Sequence, residues 1–154
     1  MVESLLYRDL GRAIDLLRQS EYHRIFDVGF YVRTHILPPL RFGQYRIYCN
    51  KFSQPTSMVT WARLNQRVKE ELIETDRALF DHEWNCGNII FFNDWVSPFG
   101  DTRKIASELG KTLFKDDEGF SFMRYRNGQK RRIYNWHGRD LAVGRWGRSC
   151  NQIC

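Results

Sequence analysis

Asn88-Ile89-Ile90-Phe91-Phe92-Asn93-Asp94-Trp95-Val96-Ser97-Pro98-Phe99-Gly100-Asp101 is the segment around which the chain is organised. Ile89 to Phe92 is an unbroken apolar run with the length and composition of a strand buried on both faces. A carboxylate, Asp94, follows at the end of that run, between Phe92 and Trp95. Pro98 and Gly100 stop the strand, and Asp101 stands where an N-cap opens a helix over 102–114. An acid among aromatics, ahead of a turn and a helix N-terminus, is a common way to build a site. A partly desolvated carboxylate there has a raised pKa or requires a cationic partner. The plainer alternative is a surface turn carrying one solvated Asp.

Outward from this strand, the periodicities place the other elements. Tyr7 to Arg18 is an amphipathic helix, with Leu6, Leu10, Ala13, Ile14 and Leu17 at helical spacing. Glu21 to Arg24 reads as a loop or short turn, and 28–40 as a second helix that Pro38-Pro39 closes. Gln44 to Asn50 and Met58 to Leu64, separated by Pro55, read as a hairpin. Gln66 to Leu79 is an acidic surface helix. After helix 102–114, Gly119 to Arg126 and Lys130 to Trp136 alternate around Asn127-Gly128, a type I′ hairpin signal. No repeat or low-complexity segment interrupts this order.

The chain of 154 residues is long enough for one domain with its own core, here with a basic C-terminal tail from about 137. No apolar run approaches the ~20 residues of a membrane span, and the N-terminus lacks a signal peptide's apolar stretch, so the expected location is cytoplasmic. Cys49, Cys86, Cys150 and Cys154 show no metal-ligand spacing and read as free thiols, although the last two could chelate weakly. No metal site is expected. The net charge of +6 is polarised, acidic from Glu70 to Glu83 and basic from Phe120 onwards. That pattern suits an acidic partner, or simply a solvated face.

The pattern is α+β. A mixed sheet flanked by helices, with an apolar strand that ends at an acid and feeds a helix, fits the acetyltransferase (GNAT-type) architecture. In that architecture two neighbouring strands splay apart and free backbone groups to hold a pantetheine arm. The glycine-rich pyrophosphate loop of coenzyme-A users is missing after the strand, which implies a donor without the nucleotide half of coenzyme A.

Ser20-Glu21-Tyr22-His23-Arg24, Gln44-Tyr45, Trp61-Ala62-Arg63-Leu64 and above all Asp94-Trp95-Val96-Ser97-Pro98-Phe99-Gly100-Asp101 resemble the RTX toxin-activating protein-lysine acyltransferases, also called the hemolysin-activating acyltransferases. The similarity is colinear from about Leu5 to about Phe114. The resemblance implies transfer of a fatty acyl chain from acyl-acyl carrier protein to lysine side chains of a protein. It also implies a homodimer and no permanently bound cofactor. The family's essential histidine maps onto His23, its essential aspartate onto Asp94 and a supporting serine onto Ser20. Asn93 stands where the family usually has an apolar residue, and the tail from Trp136 aligns poorly.

The implied chemistry suits these residue types. A lysine amine, with a reference pKa near 10.4, is protonated at neutral pH, and a histidine is the side chain best matched to taking its proton. A carboxylate within reach, Asp94, would fix the tautomer of His23 and stabilise the imidazolium. Backbone N–H groups of the splayed strand near Trp95, or of the following turn, would bind the oxyanion. Thr102, Arg103 and Lys104 at a helix N-terminus could hold the phosphate of the phosphopantetheine arm. Arg12, Arg18, Arg24 and the basic C-terminal region could meet an acidic carrier protein, and Phe26, Phe30 and Phe92 could line an acyl groove or simply pack the core. Bland readings stand beside these: an exposed loop for His23, a helix cap for Ser20, structural or exposed roles for His35, His82 and His137.

Two other functions compete. A nucleic-acid-binding module would use the basic hairpin with Tyr125, Tyr134 and Trp136 as stacking surfaces, and leaves Asp94 unused. A catalytically degenerate acyl-carrier-protein-binding protein would keep the fold without the activity. Nucleic acid is the less expected partner.

Overall fold

A computed structural model of the chain describes residues 2–124, 127 and 129–145. Among the described residues, five strands form one sheet in the order β1-β2-β3-β4-β5. They are β1 (Tyr45–Cys49), β2 (Pro55–Leu64), β3 (Ile89–Val96), β4 (Glu118–Arg124) and β5 (Lys130–His137). β3 and β4 are parallel; the other neighbours are antiparallel. A parallel pair requires a crossover, which α5 (Thr102–Lys111) supplies. This is the α+β, acetyltransferase-like mixed sheet that the sequence predicts. Among the described residues no helix is long and apolar enough to cross a membrane.

Side-chain alternation divides the core between the two sheet faces. Val59, Trp61, Ile90 and Phe92 pack against Ile105 and Leu109 of α5, with Leu141 of α6 (Gly138–Ala142). On the other face, Met58 and Val96 meet α1 (Val2–Gln19) through Ala13, Leu16 and Leu17, and α3 (Leu37–Phe42) through Leu40. Ala62, Leu64, Phe91 and Phe120 meet Val68 and Leu72 of α4 (Gln66–Thr75). Each such buried aliphatic or aromatic side chain contributes about 1.5–3 kcal/mol of transfer free energy.

One irregularity positions the site. Asp94 is opposite Thr60, yet Phe92 is opposite Trp61, so Asn93 is an extra residue, a β-bulge. By strict alternation Asp94 would share the α5 face with Phe92. The bulge shifts the count by one, and Asp94 and Val96 turn to the face covered by α1 and α3.

Several boundaries differ from the sequence expectation. Pro38 and Pro39 open α3 instead of closing a helix before it. α2 (Val28–Tyr31) runs into a π-helical turn, Val32–Ile36, in which the Leu37 N–H reaches back to the Val32 carbonyl. The prolines then sit at the first positions of the next turn, where their missing N–H groups cost little. α4 ends at Thr75, before Leu79, because Asp76 adopts a left-handed conformation with φ 53°. α5 ends at Lys111, ahead of the expected 114, and β2 begins at Pro55. Asp101 precedes α5 but its side chain makes no capping bond; the Ser97 hydroxyl accepts from the Asp101 N–H instead. Beyond β5 the chain forms α6 against α5, with Gly138 and Gly110 at the closest approaches. Gly128, Cys150 and Cys154 lie outside the described residues; Cys49 and Cys86 are free.

Candidate active site

Ser20 follows the last turn of α1, where its N–H still bonds to the Leu16 and Leu17 carbonyls. The chain then tightens into a 3-10 turn, His23–Ile25, held by Arg24 N–H to Ser20 carbonyl at 3.0 Å. This turn tucks His23 inward until only 6% of it is exposed. His23 Nε2 lies 2.9 Å from Asp94 Oδ1, joining residues 71 apart in sequence. Ser20 Oγ lies 2.6 Å from His23 Nδ1. Tyr31 Oη donates to the same Asp94 Oδ1 at 2.6 Å, and Asn93 Nδ2 donates to Asp94 Oδ2 at 3.2 Å. Asp94 is 5% exposed.

These contacts assign the proton positions. A carboxylate only accepts, so Nε2 of His23 carries the proton that faces Asp94. Nδ1 is then the lone-pair nitrogen, and the Ser20 hydroxyl donates to it. Burial, and then the neighbouring Asp94 charge, raise the Tyr31 pKa far above the ordinary phenol value, so Tyr31 stays a donor. The result is a serine–histidine–aspartate chain with a tyrosine and an amide bracing the acid.

A cavity of about 530 Å³ opens beside this chain. It lies where β3 and β4 part company. Their pairing covers only Ile90–Phe92 against Gly119–Ser121, although β3 continues to Val96 and β4 to Arg124. Asn93, Asp94 and Trp95 form one wall of the opening, and Phe122 and Arg124 the other. Phe26, Phe30 and Phe91 give it an apolar lining, while His23 and His35 contribute imidazoles. Arg124 reaches both carboxylate oxygens of Asp76 at 2.9 Å, tying β4 to the end of α4 at the cavity's edge.

Of the residues singled out from sequence, the fold brings Ser20, His23 and Asp94 into one hydrogen-bonded line and sets Trp95 in the cavity wall. Thr102, Arg103 and Lys104 begin α5 and do not line the cavity. Phe26 and Phe30 line it, but Phe92 does not: it is buried on the α5 face against Trp136 and Phe114. Trp136, proposed as a stacking surface for bases, is 3% exposed and belongs to that same core; Tyr125 lies outside the described residues. Sequence reasoning passed over Tyr31 and left His35 as structural or exposed, yet His35 is half-buried and lines the cavity. The one available signal was their spacing, since residues i and i+4 of a helical stretch share a side.

A mixed sheet parting between two parallel strands, with an imidazole–carboxylate pair at the opening, is an acetyltransferase-like arrangement. Sequence comparison agrees. The model of the RTX toxin acyltransferase family matches residues 6–137. An uncharacterized protein of Synechocystis sp. is 33% identical over 106 residues, 68% of this chain and 71% of that protein. The lysine-acyltransferase RtxC of Vibrio cholerae is 24% identical over 110 residues, 71% of each chain. The protein-lysine palmitoyltransferase CyaC of Bordetella bronchiseptica is 29% identical over 135 residues, 86% of this chain and 71% of the relative. The chain belongs to the RTX toxin acyltransferase family.

Proposed function

We propose that this protein moves a fatty acyl chain from the thioester of acyl-acyl carrier protein to a lysine side chain of a partner protein, in the cytoplasm and with no resident cofactor. The observation that carries this reading is the buried His23–Asp94 pair, 2.9 Å apart, at the wall of an aromatic-lined cavity. The names of the Vibrio and Bordetella relatives support lysine as the acceptor. The reading includes the homodimer expected of the family and a protein acceptor of the RTX toxin type.

His23 acts as the base. With Nε2–H given to Asp94, the basic nitrogen is Nδ1, so an incoming amine must use or displace the Ser20 hydroxyl. Asp94, held by Tyr31 and Asn93, stabilises the imidazolium that forms. Backbone N–H groups where β3 leaves β4, near Trp95, serve the oxyanion. The apolar lining from Phe26, Phe30 and Phe91 accepts the acyl chain. Thr102, Arg103 and Lys104 stand outside this cavity, so their part is with the phosphate of the carrier's arm or with the carrier's acidic surface.

The test is thioester loss from purified acyl-acyl carrier protein, with a lysine-bearing acceptor followed by mass spectrometry, for wild type and His23→Ala. Wild type consumes the thioester and labels lysine; His23→Ala loses about 10²–10⁴-fold in kcat while still binding the carrier. Binding without consumption by either protein would point to the degenerate, carrier-binding role instead.

A further inference from the structure

We propose that His35 is a second catalytic residue, the general acid that protonates the sulfur leaving the donor; this rests on the acyl-transfer reading above. The cavity holds two imidazoles, and the first is committed as base. His35 stands on the π-helical turn Val32–Ile36, and its ring meets that of Tyr31 with centroids 4.7 Å apart. Inserted π turns of this kind occur frequently at functional sites. His35 Nδ1 lies 3.4 Å from Asn93 Oδ1, and the His35 carbonyl accepts from Asn93 Nδ2 at 3.3 Å. The amide oxygen only accepts, so Nδ1 holds its proton and Nε2 is the nitrogen that exchanges one. The same Asn93 Nδ2 reaches Asp94 Oδ2. The bulged residue therefore holds both the acid that orients His23 and the second histidine.

Among the described residues, three other donors of the lining are engaged with carboxylates. Tyr31 donates to Asp94, Arg124 to Asp76, and Arg77 to Glu71 and Glu83. Tyr22 is pushed by burial to hold its proton more tightly than an ordinary phenol. His35 is the imidazole of the lining that remains once His23 is taken as the base.

The lysine enters as the neutral amine, its ammonium proton having gone to solvent; its nitrogen bonds to the thioester carbonyl carbon as a second N–H proton passes to His23. The carbon–sulfur bond then breaks, its electron pair leaves on sulfur, and the sulfur takes the Nε2 proton of the His35 imidazolium. The products are an amide and a free thiol, and both imidazoles reset by proton exchange with solvent.

The experiment compares two donors of the same acyl chain: acyl-acyl carrier protein, and an aryl thioester whose thiolate leaves without a proton. His35→Gln retains an amide that can reach Asn93 but has no titratable proton. The expected result is a fall of about 100-fold in kcat with the carrier-bound donor, at little change in KM. With the aryl thioester the variant stays within about threefold of wild type, because that leaving group needs no acid. An equal loss on both donors, no loss on the carrier-bound donor, or a change confined to KM would each overturn the proposal. If His35→Gln does not fold, as read by its thermal midpoint, His35→Asn takes its place in the same comparison. Wild type that consumes neither donor sinks the acyl-transfer reading and His35's role with it. Wild-type turnover with an unaffected variant removes the role of His35 alone.

Discussion

Asp94 is the residue on which the site turns, and its three contacts define separable expectations. Asp94→Asn replaces a pure acceptor with an amide that can present N–H to His23 and select the wrong tautomer. The expected loss is about 10²–10⁴-fold in kcat with carrier binding retained, measured on acyl-acyl carrier protein. Tyr31→Phe removes one donor from Asp94 Oδ1 and leaves the His23 contact in place. A hydrogen bond to a charged group contributes about 1.5–3 kcal/mol, and part of it is felt in orienting His23. The expected outcome is a kcat lower by about tenfold, equivalent to ~1.4 kcal/mol of barrier. Activity equal to wild type would mean that Asn93 and His23 alone hold the carboxylate. None of these contacts was visible in the sequence. His23 and Asp94 could be nominated by resemblance, but their meeting depends on a 71-residue loop closure, and Tyr31's part depends on that meeting.

At the scale of elements, the long periodic segments were legible because their burial patterns match their backbone periods. The hairpin β1–β2 and the apolar strand at Ile89 stand where alternation puts them, and the helix expected from Tyr7 is present but begins at Val2. Two features escaped. Pro38-Pro39 signals both a stop and a start, and only the π turn ahead of it shows that it starts α3. The bulge at Asn93 is a register event, set by the facing strand, and no single strand's sequence reveals it. The crossover from β3 to β4 ends at a tight packing of α6 on the Phe114 segment. A Cβ at Gly138 would lie 1.7 Å from the Phe114 carbonyl oxygen, closer than any backbone can tolerate. Gly138→Ala should therefore destabilise the fold by about 2–3 kcal/mol through forced backbone movement, read from urea midpoints. Gly144→Ala tests a different cost. Nothing lies within 4 Å of that position, so only its φ of 71° opposes a side chain. An Ala at Gly138 that leaves the midpoint unchanged would show that α6 can separate from the Phe114 segment without loss.

Across the whole molecule, charge is organised more locally than the sequence suggests. The acidic run around α4 is largely answered in place: Arg77 pairs with Glu71 and Glu83, and Arg124 with Asp76. Elsewhere, phenols carry the long-range ties between a helix and the sheet. Tyr45 of β1 donates to Asp9 of α1 at 2.8 Å, Tyr31 to Asp94 of β3, and Tyr48 of β1 to Glu108 of α5. All three hydroxyls are held protonated, by burial first and then by the facing carboxylate; that of Tyr45 is pushed up to about 12. A group whose folded pKa exceeds its unfolded value of about 10 stabilises the fold fully below pH ~10, and that contribution disappears as the pH rises through the folded value. Asp9 acts in the opposite sense. Burial works to raise its pKa, but bonds from Arg8, Tyr45 and Arg12 together hold it below the usual carboxylate range, so its contribution is lost as the solution becomes strongly acid. The urea midpoint should therefore fall above about pH 10 as these hydroxyls ionise against carboxylates. Tyr45→Phe isolates one of them. At neutral pH it should lower stability by about 1 kcal/mol, the net worth of its hydrogen bond. Between about pH 10 and 12 its midpoint should fall less steeply than that of wild type, because the phenol that loses its proton is gone. Parallel curves for the two proteins over that range would show that the α1–β1 tie does not depend on the Tyr45 proton.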